Sequence, residues 1–227
     1  MVDVLVFGSH PDDVEFGCGG VLAKLASQGK TIVIVDLTLG EKGSNGTPTQ
    51  RRDEAHAAAH LVNATRMNFE IEDCNVSDTY ENRLLMVRII REYQPRLVLA
   101  PMSKGEQNHP DHVACGAMAR AACRYARFPN ILPELPVHRP EGILHYMQRN
   151  FDVPTVLIDI SEHVELWKKM IRCHASQLAT FPYDDWVLEK ASYWGKLIGV
   201  EYAQGFYACN PIVVEDIMTI SKGTQEI

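Results

Sequence analysis

The chain has 227 residues, 46% of them apolar and 22% charged, enough to close a core within the size range of one domain. A formal charge of −7 and a pI near 5.7, with no run of Lys and Arg, exclude a surface built for the phosphate backbone of nucleic acid. No apolar run approaches the roughly 20 residues of a membrane-spanning helix and no secretory signal opens the chain, so a cytoplasmic protein is expected.

Val2 to Phe7 is an apolar run broken only at Asp3 and closed by Gly8, which suits a central parallel strand. Gly17 to Gln28 predicts a helix stopped by Gly29, and Thr31 to Leu37 the next strand. A helix at Thr49 to Val62, a strand at Arg66 to Phe69, a helix at Glu81 to Tyr93, a strand at Arg96 to Ala100 and a helix at Asp111 to Ala126 continue the alternation. This alternation builds βαβ units, hence an α/β fold with a mostly parallel sheet covered on both faces. Arg127 to Pro140 carries four prolines and reads as an irregular surface loop. Strands are expected at Gly142 to Met147 and Thr155 to Ile158, helices at Glu162 to Gln177 and Trp186 to Tyr202, and a last short strand at Pro211 to Val214.

Ligands of open α/β sheets bind beyond the carboxyl ends of the strands, which directs the search to Gly8–Phe16, Thr38–Gln50 and Pro101–Asp111. Two of these loops carry an HPD triplet: His10-Pro11-Asp12, extended by Asp13, and His109-Pro110-Asp111, preceded by Asn108 and extended by His112. Together they supply imidazoles and carboxylates, the donors of a catalytic zinc with three protein ligands and one open position. Two adjacent aspartates beside an apolar strand repel each other, and a divalent cation reverses that sign and keeps both ionised. The prolines restrict the residue before each of them and help to aim His10 and His109.

Other features carry less chemistry. The six cysteines are dispersed without a C-x-x-C pair and read as free thiols used as small apolar residues. Gly17-Cys18-Gly19-Gly20 is not the G-x-G-x-x-G of a dinucleotide site, and its glycines read as a close approach of the helix start. Arg51 or Arg52, after the SNGT loop, has the fork to pair with a carboxylate of an anionic substrate. Ser44 and Asn45 are candidates to hold sugar hydroxyls, although Asn-Gly is also an ordinary turn. Tyr183, Trp186 and Tyr193 form a late aromatic group that equally suits helix packing, and no site role is assigned to them.

SHPDDVEFGCGG followed a hundred residues later by NHPDH resembles the PIG-L/LmbE family of zinc-dependent N-acetylglucosamine deacetylases, whose fold is a Rossmann-like three-layer sandwich. DLTLGEKGSNGT, Arg51-Arg52-Asp53-Glu54-Ala55, PELPVHRPE and YAQGF are similar to the bacillithiol-biosynthesis branch, which deacetylates N-acetylglucosaminyl malate. The resemblance implies that His10, Asp13 and His112 bind Zn2+, with Fe2+ suited to the same donors, and that Asp12 is the general base. It implies His109 as the second catalytic group, Arg51 as the contact to the malate, and a homo-oligomer, trimer or hexamer. Asp111, beside ligand His112, is expected to orient a histidine from behind. Where the family reads HPDDE, Val14 intervenes here and the acid is Glu15, whose role the motif leaves open. The alternatives are deacetylation of another conjugate (an inositol glycoside, an antibiotic intermediate or a chitin oligomer), or a sugar-binding module of the same fold without catalysis.

Overall fold

The computed structural model describes residues 1–105, 109–146, 154–214, 216 and 218; Asn108 and Met147 lie outside them. The strands are β1 (Val4–Gly8), β2 (Ile32–Asp36), β3 (Thr65–Asn68), β4 (Leu97–Pro101), β5 (Gly142–Tyr146), β6 (Val156–Asp159) and β7 (Ala203–Tyr207). They form one sheet in the order β3-β2-β1-β4-β5-β7-β6. The first five are parallel, and β7 runs antiparallel to both its neighbours. Chain order reverses between β1 and β4, whose helices depart to opposite faces and leave a crevice at the carboxyl ends of these two strands.

The helices are α1 (Asp13–Ser27), α2 (Pro48–His60), α3 (Tyr80–Tyr93), α4 (Pro110–Tyr125), α5 (Val164–Cys173), α6 (Ala175–Leu178) and α7 (Tyr183–Leu197). β1 turns Val4 and Val6 to one face and Leu5 and Phe7 to the other, none more than 3% exposed. The first pair joins a core with Leu22 of α1 and Trp167 and Ile171 of α5; the second packs against Met86 and Ile90 of α3 and Met118 of α4. Each such side chain contributes roughly 1.5–3 kcal/mol by leaving water. A continuous apolar strand is therefore what a sheet covered twice demands.

Local chemistry sets the helix starts. Thr47 and Thr79 cap α2 and α3 by accepting from the backbone N–H groups of Gln50 and Asn82, and Pro48 and Pro110 occupy first turns. α1 begins four residues before the predicted start, placing Asp13 and Glu15 in its first turn, where the helix dipole favours negative charge. The glycine run does bring α1 close to its neighbours, since a Cβ on Gly17 would overlap the Tyr146 ring. Gly116 plays the same part in α4, where a Cβ would strike the carbonyl of Pro101 at the end of β4.

Three late expectations are corrected. The helix expected over Glu162–Gln177 is a 3-10 turn (Ser161–His163) followed by α5 and α6, broken at His174 because its imidazole turns inward to Glu15. α7 stops at Leu197, five residues before the predicted Tyr202, and the chain reverses at Gly199 with φ of 71°. The strand expected at Pro211–Val214 is absent, and Val213 there is 89% exposed. β7 instead uses Ala203–Tyr207, whose Ala, Gln and Gly are weak strand formers made into one by the slot between β5 and β6.

Candidate metal centre

β1 and β4 lie side by side, so the loops after them meet. His10 follows β1, Asp13 opens α1, and His112 stands in the first turn of α4. His10 Nδ1 lies 3.2 Å from His112 Nε2 and 3.4 Å from Asp13 Oδ2, and His112 Nε2 lies 3.0 Å from Asp13 Oδ1. Donor atoms around a tetrahedral zinc at the usual bond lengths stand about 3.3 Å apart. The three side chains thus form a triangle that fits a small divalent cation, and their N and O donors are those zinc accepts.

The triangle is held from behind. Asp13 Oδ2 accepts from the backbone N–H groups of Ser9 and His10, both at 2.9 Å. His10 Nε2 faces Asp73 Oδ1 at 3.1 Å and Asp111 Oδ2 at 3.3 Å, so that nitrogen carries the hydrogen and Nδ1 turns toward the triangle. The backbone N–H of Cys74 donates to both Asp73 Oδ1 and Asp111 Oδ2, from a left-handed conformation with φ of 59°. Asp111, expected to orient a histidine, thus lies within reach of His10. Asp73 has no counterpart in the sequence reading; it lies in the loop after β3, a fourth strand-end loop that carries no HPD triplet.

Burial works against charge at Asp13, but His112 and His10 outweigh it and hold its carboxyl well below the usual range. Burial likewise opposes protonation of His10, yet Asp13, Asp111 and Asp73 together hold its imidazole well above the ordinary value. The cluster is short of positive charge, which a proton or a divalent cation supplies.

Asp12 Oδ1 accepts from Arg51 Nη2 at 3.2 Å, and Arg51 Nη1 donates to the carbonyl of Gly40 at 2.9 Å. Arg51 is 4% exposed, so the structure places it against Asp12 rather than on a solvated helix face. His109 caps α4, its Nδ1 accepting from the N–H of Asp111 at 3.2 Å, which leaves the hydrogen on Nε2. Its ring sits edge-on to His10, centroids 5.0 Å apart. Burial first, then the charges of His10 and His112, push its imidazole below the ordinary value, so it is a neutral donor at pH 7.

These groups line one cleft of about 390 Å³, which Ser44 and Asn45 also border. Asn45 is tied across the cleft, donating to Thr180 Oγ1 at 2.7 Å and accepting from Gln177 Nε2 through its carbonyl at 2.9 Å. Phe16, Tyr183 and Trp186 line it too, Phe16 stacked on Tyr183 with centroids 5.3 Å apart. Two aromatics left without a role by the sequence thus line the same cleft as the donor triangle, while Tyr193 is half exposed and does not line it.

Glu15 is not in the cleft. It is fully buried, with Oε1 on Arg66 Nη1 at 2.6 Å and Oε2 on His174 Nε2 at 3.0 Å, while Arg66 also grips Asp36 at 2.7 and 2.8 Å. At position 15 the acid points inward, where it pins the first turn of α1 to β2, β3 and the junction of α5 and α6. Burial resists its ionisation, but Arg66 and His174 hold the carboxyl down at about 2.

The fold and the donor set define a doubly wound α/β protein with three clustered N and O donors, spaced as a cation would need, at the sheet's switch point. The chain belongs to the PIG-L family: the family model, described as GlcNAc-PI de-N-acetylase, matches residues 5–123, which hold both triplets. It is 29% identical to the diacetylchitobiose deacetylase of Thermococcus kodakarensis, over 89% of this chain and 81% of that protein. It is 28% identical to a probable N-acetyl-alpha-D-glucosaminyl L-malate deacetylase 2 of Bacillus subtilis, over 77% and 82%. A 4-oxalmesaconate hydratase of Pseudomonas putida is 27% identical over 94% and 91%. Among solved structures, the conserved protein TT1542 of Thermus thermophilus superposes with a TM-score of 0.89 at 34% identity, covering 94% of this chain and 97% of that one. No helix among the described residues is long and apolar enough to cross a membrane.

Proposed function

We propose that this protein is a metal-dependent N-deacetylase that hydrolyses the acetamide of an N-acetylglucosaminyl conjugate. One observation carries the reading: a triangle of His10, Asp13 and His112 donors sized for zinc, with a second carboxylate, Asp12, beside it on a buried arginine. A zinc ion held there supplies an acidified water and polarises the acetyl carbonyl; ferrous iron suits the same donors.

Asp12 is the base. Arg51 fixes one of its oxygens and keeps the carboxylate at the rim of the triangle, where it takes the proton of the attacking water. His109 presents Nε2–H to the cleft and hydrogen-bonds the oxygen that gains charge, while Asp12 passes the proton it took from water to the departing nitrogen. The C–O bond forms first, giving a tetrahedral adduct, and its collapse breaks the C–N bond once the nitrogen is protonated, leaving acetate and a free amine. Asp73 and Asp111 keep His10 in the tautomer the triangle needs.

N-acetylglucosaminyl malate is the favoured substrate. Supporting this are the motif resemblance, the Bacillus relative, and the buried Arg51 guanidinium in the cleft, with Lys42 at its mouth. Tyr183 and Trp186 offer an apolar wall to the sugar ring. A trimer or hexamer belongs to the same proposal and is read by light scattering. The test is acetate release from the malate, inositol and diacetylchitobiose conjugates by zinc-loaded protein. Fastest release from the malate conjugate is expected, and none from it would remove that substrate.

A second reading is favoured by the hydratase relative, matched over nearly the whole chain: the same donors and base suit addition of water to a carbon–carbon double bond. Hydration of a 4-oxalmesaconate-type acid without acetate release from any conjugate would select it.

A further inference from the structure

A second and larger cavity, about 760 Å³, lies at the other end of the sheet. Its floor includes Gly142, which pairs with Leu97 at the start of β4, whereas the donor triangle lies past Pro101 at the strand's far end. Arg83, Arg120, Arg124, Arg127 and Arg139 line it, although the chain as a whole carries a charge of −7. These arginines are spread over α3, α4, the turn after α4 and the proline-rich loop, which is why no basic run shows in the sequence; folding gathers them.

The two carboxylates in the lining are already engaged. Asp78 holds Arg83 at 2.6 and 2.7 Å, and Glu141 holds Arg96 at 3.1 Å through each oxygen. Arg83 also donates to the Tyr125 hydroxyl at 3.1 Å, which fixes that wall. Arg120, Arg124, Arg127 and Arg139 have no carboxylate partner among the described residues. Arg124 alone is accounted for by the carboxyl end of α4, where a cation complements the helix dipole. Arg120 and Arg124 are exposed and one helical turn apart, so they repel each other weakly, and an anion between them relieves that repulsion.

The geometry points to this cavity as a binding site for a small polyanion, a molecule carrying two or more phosphate or carboxylate groups. Guanidinium forks match the paired oxygens of both groups, and the volume is that of a small-molecule site. Its position gives it a line to the catalytic end: α4 carries His112 in its first turn and Arg124 in its last, roughly 18 Å apart by helical rise.

Calorimetric titration of the zinc-loaded full chain with inorganic pyrophosphate and with tricarballylate, at constant ionic strength, tests this. One equivalent is expected to bind, and the tighter of the two probes identifies phosphate or carboxylate as the preferred group. Asp13→Ala, which lacks the zinc that these anions also bind, should retain the binding. The pair Arg124→Gln with Arg139→Gln should weaken it at least about tenfold with an unchanged melting temperature. Arg120→Gln with Arg127→Gln provides the same reading should the first pair melt early. No saturable binding of either probe, or binding lost in Asp13→Ala and retained in both arginine pairs, overturns the proposal.

Discussion

Replacing Arg66 with methionine keeps most of its stem but removes the guanidinium shared by Glu15 and Asp36, two carboxylates no more than 2% exposed. Breaking a buried pair by deleting one partner costs about 3–5 kcal/mol, and a chain of this size loses about 2–4 °C of melting temperature per kcal/mol. A loss of about 4 kcal/mol at pH 8 is therefore expected, a large part of the roughly 5–15 kcal/mol that holds a domain together. The fall of stability with rising pH should steepen as well. In the native network Glu15 sits at about 2, so its contribution is present above the unfolded value near 4.3 and is lost as pH falls toward 2. Burial already lifts Asp36 to about 6 with Arg66 opposing. Without the guanidinium both acids stand above their unfolded values, the folded state binds more protons, and stability falls as pH rises. Urea unfolding followed by circular dichroism at pH 5.5 and pH 8 should thus show a smaller deficit at the lower pH. A loss below about 1 kcal/mol at pH 8, or the same loss at both, would refute this account of Glu15.

Asp12→Ala should still bind one zinc while acetate release falls by about 10²–10⁴-fold, whereas Asp13→Ala should lose the metal, as elemental analysis of the two variants will show. Asp73→Asn should weaken zinc binding about 10–100-fold in a competition titration with a chelator, because His10 loses one of the carboxylates that orient it. Lys190 is 4% exposed, its Nζ 4.9 Å from the ring centroids of both Trp186 and Trp194, and burial pushes its ammonium down to about 7. The unfolded chain holds that proton to about 10.4. Native stability should therefore rise between pH 7 and pH 10 by on the order of 2–4 kcal/mol, and Lys190→Met should flatten that rise in denaturant titrations.

The parallel half of the sheet was legible because β1, β2 and β4 are buried on both faces and announce themselves as apolar runs closed by breakers. In the antiparallel part the edge strand β6 was legible too, expected at Thr155–Ile158 and found at Val156–Asp159, but β7 was not: it is a strand by virtue of its neighbours, and His174 breaks a helix for the sake of a carboxylate 159 residues away in sequence. The same division holds at the site. The two triplets could be drawn together from their places at strand ends, since adjacent parallel strands bring their following loops together, while the choice of His10, Asp13 and His112 within them came from the family resemblance. Asp73 carries no local signal, and its role exists only in the tertiary arrangement. Arg51 was expected to reach for substrate, and the fold sets its guanidinium against Asp12, where it also shapes the base.

Stripping the protein with dipicolinate and adding zinc back while following metal content and acetate release on one sample tests the central claim most directly. The account predicts one zinc per chain, activity abolished in the stripped protein, and recovery in proportion to the zinc restored. Undiminished acetate release from metal-free protein, or stoichiometric zinc retained by His112→Ala combined with Asp13→Ala, would contradict it.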